Sequence, residues 1–153
     1  IGILAGLEVL EVPGATGYFD TNYDGKAEVA LKGLKERDFV YVHVEAPDEA
    51  GHMGDLRLKI EMIETFDEKI VGAILRGLKD FERYRVLVLP DHPTPLSLRT
   101  HTADPVPYVI YSSENCLRND SVEGFDEGTA RSQIFIERGF ELIERFLKTQ
   151  SSN

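Results

Sequence analysis

Two short stretches of this chain concentrate the residue types that bind divalent metal ions. The first holds Asp48 and His52, four residues apart. The second holds adjacent Asp91 and His92, with His101 following in the same stretch. Three of the four histidines fall in these stretches, and each stretch also carries an aspartate. Zn²⁺ and Mn²⁺ accept imidazole nitrogen together with carboxylate oxygen. Two such ions, roughly 3.5–4 Å apart, clamp the attacking and leaving oxygens of a phosphoryl group. Five ligands anchor two ions without saturating them, so other groups, water or substrate must complete the shells. Taken singly, each residue also has a plain reading: a loop acid, a histidine at a helix start, a solvated turn, a hydrogen-bonded loop histidine. Their combination, in loops stiffened by Pro47, Pro90, Pro93 and Pro95, favours metal.

The elements that would position these residues alternate. Residues 7–12 read as a short extended segment, followed by the turn-rich Pro13-Gly14-Ala15-Thr16-Gly17. Asn22 or Asp24 is placed to cap a helix carrying Ala27, Ala30, Leu31 and Leu34 through about Arg37. Phe39–Val44 is near-continuously apolar and predicts a central strand buried on both faces. Asp55 opens a long helix, with Leu56, Ile60, Ile63, Phe66, Ile70, Ile74 and Leu78 at steps of three or four. Residues 85–89 and 106–111 predict two further strands, with Pro107 favouring a strand start or edge. Residues 112–130 are polar and contain glycine. A final amphipathic helix is predicted over about 132–147. This order implies an α/β domain with a mainly parallel sheet flanked by helices. In such a sheet ligands bind beyond the strands' carboxyl ends, where both metal stretches would lie. No boundary is visible inside 25–148, and the polar tail 149–153 reads as disordered.

The remaining features are weaker. His43 lies inside a predicted strand and reads as structural, while Glu45 and Glu49 are candidates to orient the histidines. Thr94, Ser97, Thr100 and Thr102 are hydroxyls in the second stretch, none with a distinguishing context. Arg57, Lys59 and Arg99 are cations near the ligands in sequence, and Arg99 could meet a phosphate. Residues 14–17 lack the Gly-Lys-Ser/Thr of a phosphate-binding loop, and no Gly-x-Ser-x-Gly elbow occurs. The net charge of −10 argues against nucleic acid and anionic membrane as partners, and any anionic substrate would need metal or a local cation. The single Cys116 cannot form an internal disulfide and reads as a small buried or half-buried residue. No apolar run is long enough for a membrane span, no signal peptide is visible, and a cytoplasmic setting is expected. The chain opens Ile1-Gly2-Ile3 without Met and reads as a fragment.

Three longer motifs carry a family likeness. His43-Val-Glu-Ala-Pro-Asp48-Glu-Ala-Gly-His52-Met-Gly-Asp55 resembles a signature of the cofactor-independent phosphoglycerate mutases, archaeal-type branch, within the alkaline phosphatase superfamily. Leu89-Pro-Asp91-His92-Pro-Thr-Pro, with Arg99-Thr-His101-Thr-Ala-Asp-Pro-Val-Pro107, is similar to its second half. Residues 11–26 also resemble that branch. The resemblance implies an alkaline-phosphatase-like fold, here incomplete. It implies interconversion of 3-phosphoglycerate and 2-phosphoglycerate through a phosphorylated serine, with two divalent ions (Mn²⁺, Zn²⁺, Co²⁺ or Mg²⁺). It assigns Asp48, His52 and His101 to one ion, and Asp91 and His92 to the other. The nucleophilic serine and a further aspartate ligand have no counterpart here, so the chain alone is expected to be inactive. Residues 1–24 would be the chain returning from a substrate-binding insertion, and 25–148 the C-terminal part of the metal-binding domain. A phosphatase or phosphonate hydrolase of the same superfamily is the alternative that this likeness leaves open.

Overall fold

The computed structural model describes residues 2–114 and 124–148. Cys116 and the tail 149–153 lie outside the described residues, as does part of the polar segment 112–130. The chain divides into two compact units. One comprises Ile1–Asp80 and Thr94–His101, the other Phe81–Pro93 and Thr102–Asn153.

The first unit is helical. Helix α1 (Tyr23–Leu34) starts where Asn22 caps it: the side-chain oxygen accepts from the Gly25 N–H at 2.9 Å, satisfying one of the helix's orphan donors. Asp24 falls inside the first turn instead. Ala27, Ala30 and Gly33 form the buried face of α1. Gly33 is there for space. A Cβ on it would stand 2.8 Å from Leu10 Cδ1 and 3.3 Å from Val40 Cγ2, so segments 7–12 and 39–44 both press on this helix.

Residues 39–45 correct one expectation. Among the described residues they do not form a strand of a sheet. Tyr41, His43 and Glu45 are exposed while Phe39, Val40, Val42 and Val44 are half-buried, so the segment is not covered on both faces. A run of β-branched residues becomes a strand only when a neighbour takes up its backbone N–H and C=O groups.

The stretch that follows corrects another. Asp48 and His52 sit not in a loop but on helix α2 (Ala46–Met53), which begins with Pro47 in its first turn, where the missing N–H costs nothing. The helix stops at Gly54, whose φ of 70° is the left-handed conformation that glycine tolerates. Asp55 then caps helix α3 (Leu56–Phe66), accepting from Leu58 N at 3.0 Å. Ala46, Ala50 and Met62 form the core between α2 and α3, with Phe19, Tyr23, Val44 and Leu58 packed around it.

The predicted long helix runs on through a π-helical turn (Asp67–Gly72), helix α4 (Ala73–Gly77) and a final tight turn (Leu78–Asp80). Its expected apolar stripe divides. Ile70 and Leu78 are buried, whereas Leu56, Ile60 and Ile63 are exposed and Met62 is buried in their place. A π-turn uses an extra residue, so the faces before and after it are offset.

Among the described residues the second unit contains a two-stranded sheet. Strand β1 (Arg85–Val88) pairs antiparallel with β2 (Val109–Ser112), in the register Arg85 opposite Ser112 and Val88 opposite Val109. The expected mainly parallel sheet therefore has no counterpart among the described residues. Strand β2 begins later than predicted, beyond Pro105 and Pro107, which have no N–H to give a ladder. Of the helix predicted over about 132–147 only the last part is helical, as α6 (Glu141–Leu147), and a separate short helix, α5 (Glu127–Ala130), precedes the predicted start. Asp126 caps α5 by accepting from Thr129 N at 2.8 Å, which starts helix earlier than the apolar spacing indicates. Ile134, Phe135 and Phe140 between and beside them are exposed, so this stripe buries little besides Leu142. Arg85 closes the end of α6, donating to the carbonyls of Phe146 (2.8 Å) and Lys148 (2.7 Å).

Candidate metal centre

The first unit brings three of the five expected ligands together. Asp48 lies in the first turn of α2, where a carboxylate suits the helix dipole. His52 lies one turn later, and four-residue spacing puts both side chains on one face. His52 Nε2 stands 3.2 Å from Asp48 Oδ2. His101 comes from the end of the 94–101 segment. Its Nε2 is 3.4 Å from Asp48 Oδ1 and 3.0 Å from His52 Nε2. The two rings are tilted, with centroids 4.9 Å apart. One donor atom from each residue lies within 4.8 Å of the others. The side chains are 23%, 35% and 51% exposed in the order Asp48, His52, His101, so one side of the cluster is open for a further ligand.

Two supports fix this geometry. His52 Nδ1 is 3.0 Å from the carbonyl oxygen of Arg99. A carbonyl only accepts, so Nδ1 carries the proton and donates. The Nε2 lone pair of the neutral ring then faces Asp48 and His101. This is the outer hydrogen bond that metal-ligating histidines generally make. The Arg99 carbonyl raises the pKa of His52, as do the carboxylates of Asp48 and Glu49, against an opposing effect of burial. Arg99 holds its carbonyl there at φ 54°, a left-handed conformation uncommon for a side chain of this size. Its backbone N–H donates to Pro95 O at 2.8 Å, closing the turn.

The second support is Thr94, which is 5% exposed. Its hydroxyl donates to Asp48 Oδ1. Its own carbonyl accepts from Lys59 Nζ of α3 at 2.6 Å. Gly51 of α2 lets this segment lie close, since a Cβ on it would stand 2.8 Å from Thr94 O.

The donor set fits a divalent transition metal. Bonds of about 2.0–2.1 Å in a tetrahedral site place ligand atoms roughly 3.3 Å apart; the two imidazole nitrogens stand 3.0 Å apart, and each lies within 3.4 Å of one Asp48 oxygen, His52 of Oδ2 and His101 of Oδ1. Two imidazoles and one carboxylate with an open side match a three-ligand site rather than a closed structural one.

Asp91 and His92 belong to the other unit. There His92 N donates to Asp91 Oδ1 at 3.1 Å, and His92 Nε2 is 3.5 Å from Asp91 Oδ2. His43 is exposed; its ring stacks on Tyr41 and its carbonyl accepts from Lys26 Nζ at 2.8 Å. Of the groups near the site, sequence reasoning gave no special place to Thr94, Lys59 or the Arg99 carbonyl. Thr94 stands between two prolines, a pattern that fixes its backbone and was available as a signal.

Residues 2–131 match the model of a family described as the Metalloenzyme superfamily. The chain belongs to that family. Within the Metalloenzyme superfamily it is 54% identical over 148 residues to a probable 2,3-bisphosphoglycerate-independent phosphoglycerate mutase of Geobacter sulfurreducens, covering 96% of this chain and 37% of the relative. It is 56% identical over 133 residues to the 2,3-bisphosphoglycerate-independent phosphoglycerate mutase of Methanosarcina acetivorans, covering 86% of this chain and 33% of the relative. The chain thus spans about a third of the length of the curated relatives it matches. A solved structure of a Pyrococcus horikoshii protein is 37% identical, with a TM-score of 0.75, covering 83% of this chain and 37% of that one. Superfamily and solved neighbour both fit the alkaline-phosphatase-like fold that the sequence resemblance implies.

Proposed function

We propose that this chain is the metal-ligating part of a 2,3-bisphosphoglycerate-independent phosphoglycerate mutase, which interconverts 3-phosphoglycerate and 2-phosphoglycerate through a phosphoserine. The observation that carries the reading is the convergence of Asp48, His52 and His101 in a chain more than half identical to two proteins bearing that name. In this reading Asp48, His52 and His101 hold one ion, and Asp91 and His92 contribute to a second. Residues 25–148 are the C-terminal part of the metal-binding domain and 1–24 lead into it. The nucleophilic serine and the other ligands belong to the part of the relatives that this chain does not span. No helix among the described residues is long and apolar enough to cross a membrane, which accords with a small phosphorylated substrate met in water.

Divalent ions (Mn²⁺, Zn²⁺, Co²⁺ or Mg²⁺) would supply Lewis-acid stabilisation of the charge on the phosphoryl oxygens. The chain's own residues set the conditions for that. Asp48 offers the anionic oxygen, the Arg99 carbonyl holds the His52 proton on Nδ1, and the open side beside His101 leaves room for a substrate oxygen.

The test is metal uptake by the purified 153-residue chain, together with an enolase-coupled mutase assay. One tightly held ion, a weaker second and no turnover are expected. A chain that takes up no Zn²⁺ or Mn²⁺ overturns the metal site. Substantial turnover by the chain alone overturns its reading as a part. In a protein that joins this sequence to a nucleophilic serine, release of free phosphate in place of isomer would identify a phosphatase instead.

A further inference from the structure

We propose that Thr94 is a positioning residue for the metal site and acts through Asp48. The inference rests on the metal-site reading above. Asp48 is held at both of its oxygens in different ways. Oδ1 accepts the Thr94 hydroxyl, while Oδ2 is the oxygen nearest His52 Nε2, at 3.2 Å. A carboxylate otherwise rotates freely between one-oxygen and two-oxygen binding. The hydroxyl limits that freedom by engaging Oδ1, which keeps Oδ1 toward His101 Nε2, 3.4 Å away, and Oδ2 toward His52 Nε2.

Thr94 is itself held from three directions. It lies between Pro93 and Pro95, which restrict its backbone. Its carbonyl accepts from Lys59 Nζ. Its backbone and methyl group pack on Gly51, one residue before His52, leaving no room there for a Cβ. With 5% exposure, its hydroxyl is withdrawn from competing water. Thr94 therefore carries a hydrogen bond whose direction is fixed by the same elements that carry Asp48 and His52. Lys59 supports it from the next helix. Thr94 acts on the carboxylate directly and Lys59 acts through the Thr94 carbonyl.

The experiment compares Thr94→Val, Thr94→Ser and Lys59→Met in the full chain. Zn²⁺ affinity is read by competition with a chromophoric chelator, and metal-free folding by thermal melting. Val keeps the shape and removes the donor; Ser keeps the donor and removes a methyl group. Outer hydrogen-bond partners of metal ligands typically change metal affinity by roughly 10–100-fold, and a loss in that range is expected for Thr94→Val. Thr94→Ser should remain close to the parent, with Lys59→Met between the two. Affinity in Thr94→Val equal to the parent's overturns the proposal. So does Thr94→Ser losing as much affinity as Thr94→Val, since the methyl group would then be what matters. If Thr94→Val fails to fold, Thr94→Ser and Lys59→Met decide: parent-like binding in Ser with weakened binding in Met supports the role, and the reverse order overturns it. A parent chain that binds no Zn²⁺ overturns the metal-site reading, and this inference with it. A parent that binds while Thr94→Val binds equally overturns the inference alone.

Discussion

The two units each hold an aspartate and a histidine of the expected ligand set, yet they hold them differently. In the first unit, Asp48 and His52 are one helical turn apart, and residues about fifty positions away in sequence restrain them: Thr94 on the carboxylate, the Arg99 carbonyl on the imidazole, His101 beside both. In the second, Asp91 and His92 are adjacent residues that contact each other, and they offer two donors where the first unit offers three. Long-range restraint pre-arranges donor atoms before any ion arrives, which lowers the ordering cost of binding. Two neighbouring donors give an ion fewer bonds than three converging ones. The first unit should thus bind metal by itself, and the second should depend on further ligands.

The largest effect should separate these regions directly. Asp48→Asn removes the only carboxylate of the triad and with it the anionic ligand. Zn²⁺ affinity of the chain should fall by more than the roughly 100-fold upper range for outer partners. Asp91→Asn should leave the tighter site within about threefold, since the proposed function gives Asp91 to a different ion. Calorimetric titration of both variants checks this, and equal losses would break the contrast.

Acidity sharpens the same contrast. His52 is raised chiefly by the Arg99 carbonyl and also by Asp48 and Glu49, so its proton competes with metal at a higher pH than an ordinary histidine's. Metal binding should weaken by about tenfold for each pH unit below that raised value, for one displaced proton. In the metal-free chain the sign reverses. A histidine raised on folding stabilises most below its unfolded pKa, and this support is lost as pH rises through the folded value. Melting temperature across pH 5–8 should therefore fall with rising pH without metal and rise with it. Parallel trends in both would show that His52 does not face the ion.

Packing beneath the triad comes next in size. Gly51→Ala places a Cβ 2.8 Å from Thr94 O and 2.9 Å from its Cγ2, in a buried position. Overpacking of this kind costs about 1–3 kcal/mol. It should also push the 94–101 segment off α2, lowering metal affinity along with stability. Denaturant unfolding and Zn²⁺ titration of the same sample measure both losses. Loss of stability with unchanged affinity would separate the segment's packing from its support of Asp48.

Much of this was legible in the sequence, for physical reasons that differ by residue. Asp48, His52 and His101 stood out because two residue types with one shared chemistry recur in two stretches, and the fold brings these three together. The Asp55 cap was found because a short acidic side chain precedes an apolar periodicity. Asn22 and Asp24 were indistinguishable until Pro13 O took the Asn22 amide (2.8 Å), a contact between residues nine positions apart. The strand expected at 39–44 depended on a partner that sequence does not display, as sheet pairing is non-local. Helix α2 was read as a loop because Pro47 follows an apolar run and looks like a loop residue, although Pro is favoured in a first helical turn. Thr94 was one hydroxyl among four because its role depends on Lys59 and Gly51 meeting it from elsewhere.

The smallest effect concerns the helix that carries Lys59. Asp55 accepts from Leu58 N at the start of α3, and its loss to alanine leaves that donor without its side-chain partner. Asp55→Ala should cost about 1 kcal/mol of stability, within the usual range for such caps. The triad stands on α2 and on the 94–101 segment, so Zn²⁺ affinity should change little. Asp126 in the second unit makes the matching test. Its carboxyl is held below the ordinary aspartate range by the Thr129 N–H, by the Thr129 hydroxyl and by Gly128 N–H. The support it gives α5 is therefore present above its unfolded pKa and lost as pH falls through the lowered folded value. Asp126→Ala should destabilise near neutral pH and converge with the parent in strong acid, with metal binding untouched. A fall in Zn²⁺ affinity in either cap variant, comparable to that of Gly51→Ala, would show that the triad relies on whole-unit stability more than on Thr94 and Arg99.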